Sequence, residues 1–505
     1  MNRRWPKMEI GKLSPYFFLC VLVFAGCASD QGFRPQVMNH STPYAVGSTT
    51  FFIHDASRGF DADAGVTDGV RTLITELWYP VGHNSVGRTT ARATYGDYVF
   101  GNRDVHRLMM TQTTNFHLTP ETVRAGVDQA QIDAAIAELF DRERGSFTDA
   151  PPAQSVQWPV VVVSHGDAGS RYNMQTVSEY LAGHGYLVIA PEHTGNSPYS
   201  MIGADPALAA GKGDAELKKR MAPVLPLLDN NGVYASAAPF GQSYSPLAGG
   251  ETTPAPLDIV ALDNSLLERV SDLRATLNEL EVMNREGMFA GKLDLNRIAL
   301  IGRSFGGATT LAGLALEDRF RAGAAVVPPS VPDLRAALPR DTLIAPPAES
   351  VLLSAGKKTA FGDLQKPTLL LMGGEDALIL QLGADMAQAT GGTAPGPDNA
   401  YPVLQQTFEK AEVPAVFATL QNTNHASLST AGPYWWPALK PTTLPRFFDP
   451  GQTYQLTDAT TAHRIQQEMI LAFLQATLRG DEESKALLQS NPWSKHQTHL
   501  ELRGF

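Results

Sequence analysis

Four consecutive β-branched residues, Val160 to Val163, constrain the fold of this chain more than any other feature. The run is too short for a helix and offers no alternating polar position to water. It therefore predicts a strand covered on both faces, as in a parallel sheet sandwiched between helices. Similar apolar runs follow at Tyr186 to Ala190, Arg297 to Ile301, Ala322 to Val327, Thr368 to Met372 and Ala415 to Leu420. Helix-like stretches separate several of them: Gln175 to His184, Asp258 to Arg285 and Ala308 to Ala315, with Ala459 to Leu478 closing the series. Alternation of this kind predicts an α/β fold with a mostly parallel central sheet. With 505 residues, 43% of them hydrophobic and 18% charged, the chain can bury a large core. We find no internal repeat, and the alternation favours a single elaborated domain over 49–505.

Thr72 to Tyr79 alternates and stops at Pro80, as an antiparallel starting strand does. Two insertions interrupt the pattern. The first, about 81–157, contains one helical stretch, Glu121 to Arg144. The second, about 198–256, is rich in Ala, Gly and Pro and carries a short helix near Asp214 to Met221. Such insertions serve as lids or substrate walls, or are plain surface excursions. Residues 28–48 are polar, lack a period and read as a flexible tether.

The N-terminus reads as an export signal: Arg3, Arg4, Lys7 and Lys12, then an apolar run from Tyr16 to Phe24, then small residues up to Cys27. The run is short for a bilayer span. Phe24-Ala25-Gly26-Cys27 resembles the bacterial lipobox, which implies that 1–27 is a lipoprotein signal and Cys27 the acylated first mature residue. The resemblance, with Ala28 after the cysteine, further implies outer-membrane delivery. The alternative is a simple secretory signal cut near Ala28. Cys20 and Cys27 are the only two cysteines, so the mature chain is left without a disulfide, a cysteine metal site or a cysteine nucleophile. A net charge of -11 and the lack of a basic block beyond the leader argue against nucleic acid as a partner, and leave the anchor as the only expected membrane contact.

Gly302-Arg303-Ser304-Phe305-Gly306 stands directly between the strand ending at Ile301 and a helix-prone stretch. This is the G-x-S-x-G pattern in a strand-turn-helix setting, where a tight turn thrusts the serine hydroxyl outward and makes Ser304 a candidate nucleophile. The backbone N–H of Phe305, at the helix start, is a candidate oxyanion donor. The second donor is expected in the turn after the Val run, at the N–H of Asp167. His165 in that turn is read as a structural brace. The candidate base is His425, in a polar loop after the last strand, with His463, His496 and His499 as competitors. The candidate acid is Asp376, after the Thr368 to Met372 strand, preferred over Glu375, which is expected to point away at the loop's outer edge. No cofactor and no metal are called for.

Glu76-Leu77-Trp78-Tyr79-Pro80, Ser164-His165-Gly166, Leu181 to Tyr186 with Glu192-His193, Leu293-Asp294 to Arg297, Gly302 to Thr309 and Asn424-His425 occur in this order over roughly 70–430. Together they resemble the plasma-type platelet-activating factor acetylhydrolases among the dienelactone-hydrolase-like α/β-hydrolases. The resemblance implies an α/β-hydrolase fold and hydrolysis of short or oxidised acyl esters, phospholipid esters included, without a metal. It also implies an acid after the strand that follows the nucleophile helix, but Val327-Pro328-Pro329 stand there. Gly374-Glu375-Asp376-Ala377-Leu378-Ile379 instead resembles bacterial cutinases and polyester hydrolases, which supports Asp376 and leaves Asp333 in reserve. Arg303 stands where the family has histidine. The expected activity is that of a secreted or lipid-anchored serine ester hydrolase. The alternatives are a polyester hydrolase, an acyltransferase or a non-catalytic envelope binding protein. Tyr434, Trp435 and Trp436 either line an acyl site or pack on the sheet.

Overall fold

The computed structural model describes residues 42–59, 71–87, 89–98, 127–154, 157–197, 259–329, 363–430 and 441–505. Its strands are β1 (Ala45–Asp55), β2 (Arg71–Val81), β3 (Arg92–Thr94), β4 (Glu143–Thr148), β5 (Trp158–Ser164), β6 (Leu187–Pro191), β7 (Leu293–Arg303), β8 (Phe320–Val326), β9 (Thr368–Gly373), β10 (Ala415–Leu420), β11 (Thr443–Pro445), β12 (Thr453–Gln455) and β13 (Thr498–Arg503). All but β11 and β12 join one sheet in the order β13-β10-β9-β8-β7-β5-β6-β2-β1-β4-β3. From β6 to β10 every neighbouring pair is parallel. On one flank β2 turns the sheet antiparallel, and β13 does so on the other.

The helices are α1 (Gln129–Asp141), α2 (Gln175–Gly183), α3 (Ile259–Met283), α4 (Phe305–Leu316), α5 (Ala377–Thr390), α6 (Pro402–Glu409), α7 (Ala459–Leu474) and α8 (Glu482–Ser490). The Val run explains why they lie on both sides. Val160 and Val162 enter one core with Leu273, Leu277 and Leu280 of α3, while Val161 and Val163 enter another with Val177 and Leu181 of α2. Successive side chains of a strand point to opposite faces, so a run without polar positions needs a helix layer on each. Among the described residues no helix is long and apolar enough to cross a membrane.

Three expectations are corrected. The tether placed at 28–48 cannot reach 48, because β1 begins at Ala45 and pairs with β2 from Ala45↔Val81 to Asp55↔Arg71. Gly47 looks like linker in sequence but is a packing position: a Cβ there would lie 2.5 Å from the Tyr79 ring. It follows that β2, though antiparallel to both of its neighbours, is not the starting strand. All eleven of its residues are buried, and Arg71 and Glu76 meet Asp272 and Arg144 inside. The helix expected over Glu121 to Arg144 is shorter at its described end. A capping box between Asp128 and Gln131 starts α1, which ends at Asp141. Arg144 belongs instead to β4, which pairs with β1, so the end of the first insertion extends the sheet.

The chain leaves β5 for β6 on one side, then returns past β5 to β7 on the other. Loops at the C-terminal ends of β5 and β7 therefore diverge, and the crevice between them is where open α/β sheets bind ligands.

Candidate active site

Ser304 sits at the end of β7 with φ 57° and ψ −126°, and α4 begins at the next residue. A non-glycine residue held at positive φ costs about 1–3 kcal/mol and needs support from its surroundings. Here the Ser304 N–H donates to Val326 O at 2.8 Å, and Ser304 O accepts from Gly307 N at 2.7 Å. Two glycines make the bend possible by close approach. A Cβ at Gly302 would lie 2.1 Å from Gly306 O, and one at Gly306 would lie 2.0 Å from Ser164 O. The second contact joins the elbow to the end of β5.

Asp376 and His425 arrive from the ends of β9 and β10, the two parallel strands beyond β8. Asp376 is fully buried and N-caps α5, its Oδ1 accepting from Ile379 N at 3.1 Å. Its other oxygen, Oδ2, lies 2.8 Å from His425 Nδ1, and His425 Nε2 lies 3.0 Å from Ser304 Oγ. A carboxylate only accepts, so Nδ1 carries the proton and Nε2 offers a lone pair to the serine hydroxyl. A capping box between Asn424 and Ser427 shapes the turn that carries the imidazole. Burial lowers the His425 pKa from its ordinary 6.5, the Arg303 cation lowers it further, and Asp376 opposes both. Arg303 also donates through Nη2 to the His425 carbonyl. Burial brings its own pKa down to about 10.

Glu375 points away from His425 but not to an outer edge. It is almost buried, accepting from Arg446 Nη1 and, at 3.0 Å, from Phe447 N. The position after β8, where the family resemblance implies an acid, is taken by Val327, which is fully buried at φ 41°.

The turn after β5 packs on the elbow, for a Cβ on Gly166 would come within 3.2 Å of Ser304 Cβ. Phe305, as the first residue of α4, has no intrahelical carbonyl for its N–H. His165 braces the turn as expected. Its Nδ1 lies 2.7 Å from Gly166 O, and its Nε2 accepts from His193 N at 3.0 Å. Burial, with Arg269 and His193 nearby, holds its pKa well below the ordinary value, so the ring is neutral.

A second serine, histidine and aspartate line up behind this turn. His193 lies 2.9 Å from Ser164 Oγ and 3.1 Å from Asp272 Oδ2, with all three residues fully buried. Ser164 has no exposed surface there, and Asp272 is already engaged by Arg58 and Arg71. Sequence reasoning missed Asp272, Arg269 and Asn196 around this turn. The i, i+3 pair Arg269 and Asp272, charged residues on the buried side of an amphipathic helix, was the available signal.

The competing histidines lie elsewhere. His463 is buried in α7 between Thr176 Oγ1 and Ser429 O, at 2.9 and 3.0 Å, and supports the loop that follows His425. His496 meets Arg464, and the exposed His499 meets Glu501. Cys27, Asp333, Tyr434, Trp435, Trp436 and the whole of the second insertion, with the helix near Asp214 to Met221, lie outside the described residues. Among the described residues no group of His, Cys, Asp and Glu is arranged to hold a metal.

The sequence matches the family "Platelet-activating factor acetylhydrolase, isoform II" over residues 145–215 and 266–332. These segments include the turn at Asp167 and the elbow at Ser304 but neither Asp376 nor His425. Platelet-activating factor acetylhydrolase of Cavia porcellus is 26% identical over 181 residues, 36% of this chain and 37% of the relative. That of Canis lupus familiaris is 28% identical over 192 residues, 35% of this chain and 36% of the relative. The chain thus spans little more than a third of the length of these relatives. A solved ferulic acid esterase from Streptomyces cinnamoneus superposes with a TM-score of 0.51 at 18% identity, covering 92% of this chain and 98% of its own. The fold is that of an α/β-hydrolase, and the chain resembles the platelet-activating factor acetylhydrolases within it.

Proposed function

We propose that the protein is a serine-dependent carboxylic ester hydrolase acting on short-acyl or phospholipid-like esters. The observation that carries this reading is the chain of contacts from Ser304 Oγ to His425 Nε2 at 3.0 Å and from His425 Nδ1 to Asp376 Oδ2 at 2.8 Å, set on a strained elbow. The similarity to acetylhydrolases around Ser304 supports the same chemistry.

Ser304 Oγ attacks the ester carbonyl carbon while His425 Nε2 takes the hydroxyl proton, forming a tetrahedral oxyanion that faces the N–H groups of Phe305 and Asp167. As the C–O bond to the alcohol breaks, the imidazolium returns the proton to the departing oxygen. Water then attacks the acyl-enzyme, giving its proton to His425 and its oxygen to the released acid; Ser304 recovers the proton. Asp376 stabilises the imidazolium and keeps its proton on Nδ1. Attachment to a bacterial outer membrane through Cys27 completes the proposal, supported by the lipobox-like Phe24 to Cys27.

The test is hydrolysis of p-nitrophenyl acetate together with labelling by a fluorophosphonate. Ser304→Ala should abolish both and leave the melting temperature near that of the wild type. Undiminished turnover by Ser304→Ala would reject the proposal. Product analysis with an added alcohol separates hydrolysis from acyl transfer.

A further inference from the structure

We infer that Arg269, on helix α3, is a positioning residue that pre-organises the oxyanion-binding turn by gripping the far side of the peptide whose N–H serves the reaction. This rests on the reading of Ser304 and the Asp167 N–H given above. Arg269 is fully buried, and at this turn it holds two backbone carbonyls besides the Ser164 hydroxyl, to which Nη1 donates at 3.3 Å. Its Nη1 donates to His165 O at 2.5 Å and its Nη2 to Gly166 O at 3.0 Å.

The second of these contacts decides the matter. The Gly166 carbonyl and the Asp167 N–H belong to one peptide unit, which is planar and trans, so the two bonds point in opposite directions. Fixing the oxygen therefore aims the N–H. Gly166 O is held by three donors at once: Arg269 Nη2, His165 Nδ1 at 2.7 Å and Gly169 N at 3.2 Å. Rotation of the peptide would break all of them inside a buried site, where an unsatisfied guanidinium is severely penalised. A cation on the carbonyl also polarises the amide, which strengthens its N–H as a donor to a developing negative charge.

Arg269 reaches the other half of the hole as well. Its guanidinium carbon lies 4.6 Å from the centroid of the Phe305 ring, so it packs against the residue whose N–H is the second donor. It also donates to Asn196 Oδ1, and Asn196 in turn donates to Asp167 Oδ1 at 2.7 Å. One buried cation thus fixes the orientation of the Asp167 amide and packs on the Phe305 side chain without a hydrogen bond to Ser304, His425 or Asp376. The favourable geometry exists before substrate arrives, which is the condition under which fixed dipoles lower a barrier.

The experiment compares Arg269→Gln with wild type in p-nitrophenyl acetate hydrolysis and in binding of a trifluoromethyl ketone, which forms a tetrahedral adduct. We expect kcat to fall about 100-fold or more, the loss typical of an oxyanion donor. KM should stay within about twofold, ketone affinity should fall by the same factor as kcat/KM, and the acid limb of the pH profile should stay in place. A smaller folded fraction would lower apparent kcat at constant KM but would leave the ketone affinity of the active enzyme unchanged, so the fall in ketone affinity separates the two. Should Arg269→Gln fail to fold, Asn196→Ala, which leaves the guanidinium but frees the Asp167 side chain, should lower kcat about tenfold with the same signature. A folded Arg269→Gln or Asn196→Ala with wild-type kcat, or a loss seen only in KM, overturns the inference. Wild-type activity in Ser304→Ala would instead reject the underlying serine reading.

Discussion

Replacing Asp376 by Asn separates the two tasks of that carboxylate. Oδ1 caps helix α5 through Ile379 N at 3.1 Å, and Oδ2 holds His425 Nδ1 at 2.8 Å. Asn is about as good an N-cap as Asp, so its carbonyl can keep the first contact. Its NH2 group then faces Nδ1. Two donors cannot share that contact, so the imidazole adopts the other tautomer, with a lone pair on Nδ1 and a proton on Nε2 directed at Ser304 Oγ. A protonated Nε2 cannot accept the serine proton. The loss expected for a wrong-tautomer base is about 10⁴ in kcat, or roughly 5.5 kcal/mol at about 1.4 kcal/mol per decade. Exchanging a charged for a neutral hydrogen bond costs stability only about 1–2 kcal/mol. The assay is kcat for p-nitrophenyl acetate beside a thermal melt, with Asp376→Ala for comparison. Asp376→Ala should be equally inactive but should melt lower, having lost the cap. Asp333→Asn should leave kcat near wild type. If folded Asp376→Asn kept kcat within about tenfold of wild type, the assignment of the acid would be wrong.

Two pH dependences follow from buried charges. The acid limb of kcat/KM should fall below pH 6.5, because burial and Arg303 lower the pKa of the base. In Arg303→Met that limb should move to higher pH, because a cation that disfavours imidazolium has gone; a profile that stays in place would refute this role. Stability should also decline on acidification. Burial lowers His193 and His463 to about 4 and His165 well below its ordinary value, so the unfolded chain binds more protons below pH 6.5. The stabilisation is present above pH 6.5 and is lost as pH falls toward 4, by up to about 1.4 kcal/mol per pH unit for each histidine. Urea midpoints measured between pH 7 and 4.5 check this, and a flat series would contradict it.

What could be read from the sequence was whatever short-range physics determines. Val160 to Val163 had to lie between two layers, and Gly302 to Gly306 between strand and helix had to bend, since neither run has another way to satisfy its neighbours. The places of Ser304 and His425 at strand ends follow from the same alternation. Contacts between distant segments carry no comparable local signature. β1 was mistaken in part for a tether because Gly47 shows its purpose only against the Tyr79 ring, and the first two residues of β4 were read as the end of a helix because Arg144 finds Glu76 only across the sheet. Arg269 and Asp272 read as charges on a long helix, yet they are buried against the turn after β5, the former on its carbonyls and the latter on its histidine network. Local sequence specifies which residues must bend, extend or coil. Only closure of the sheet decides which buried polar groups meet, because their partners are set by packing rather than by position along the chain.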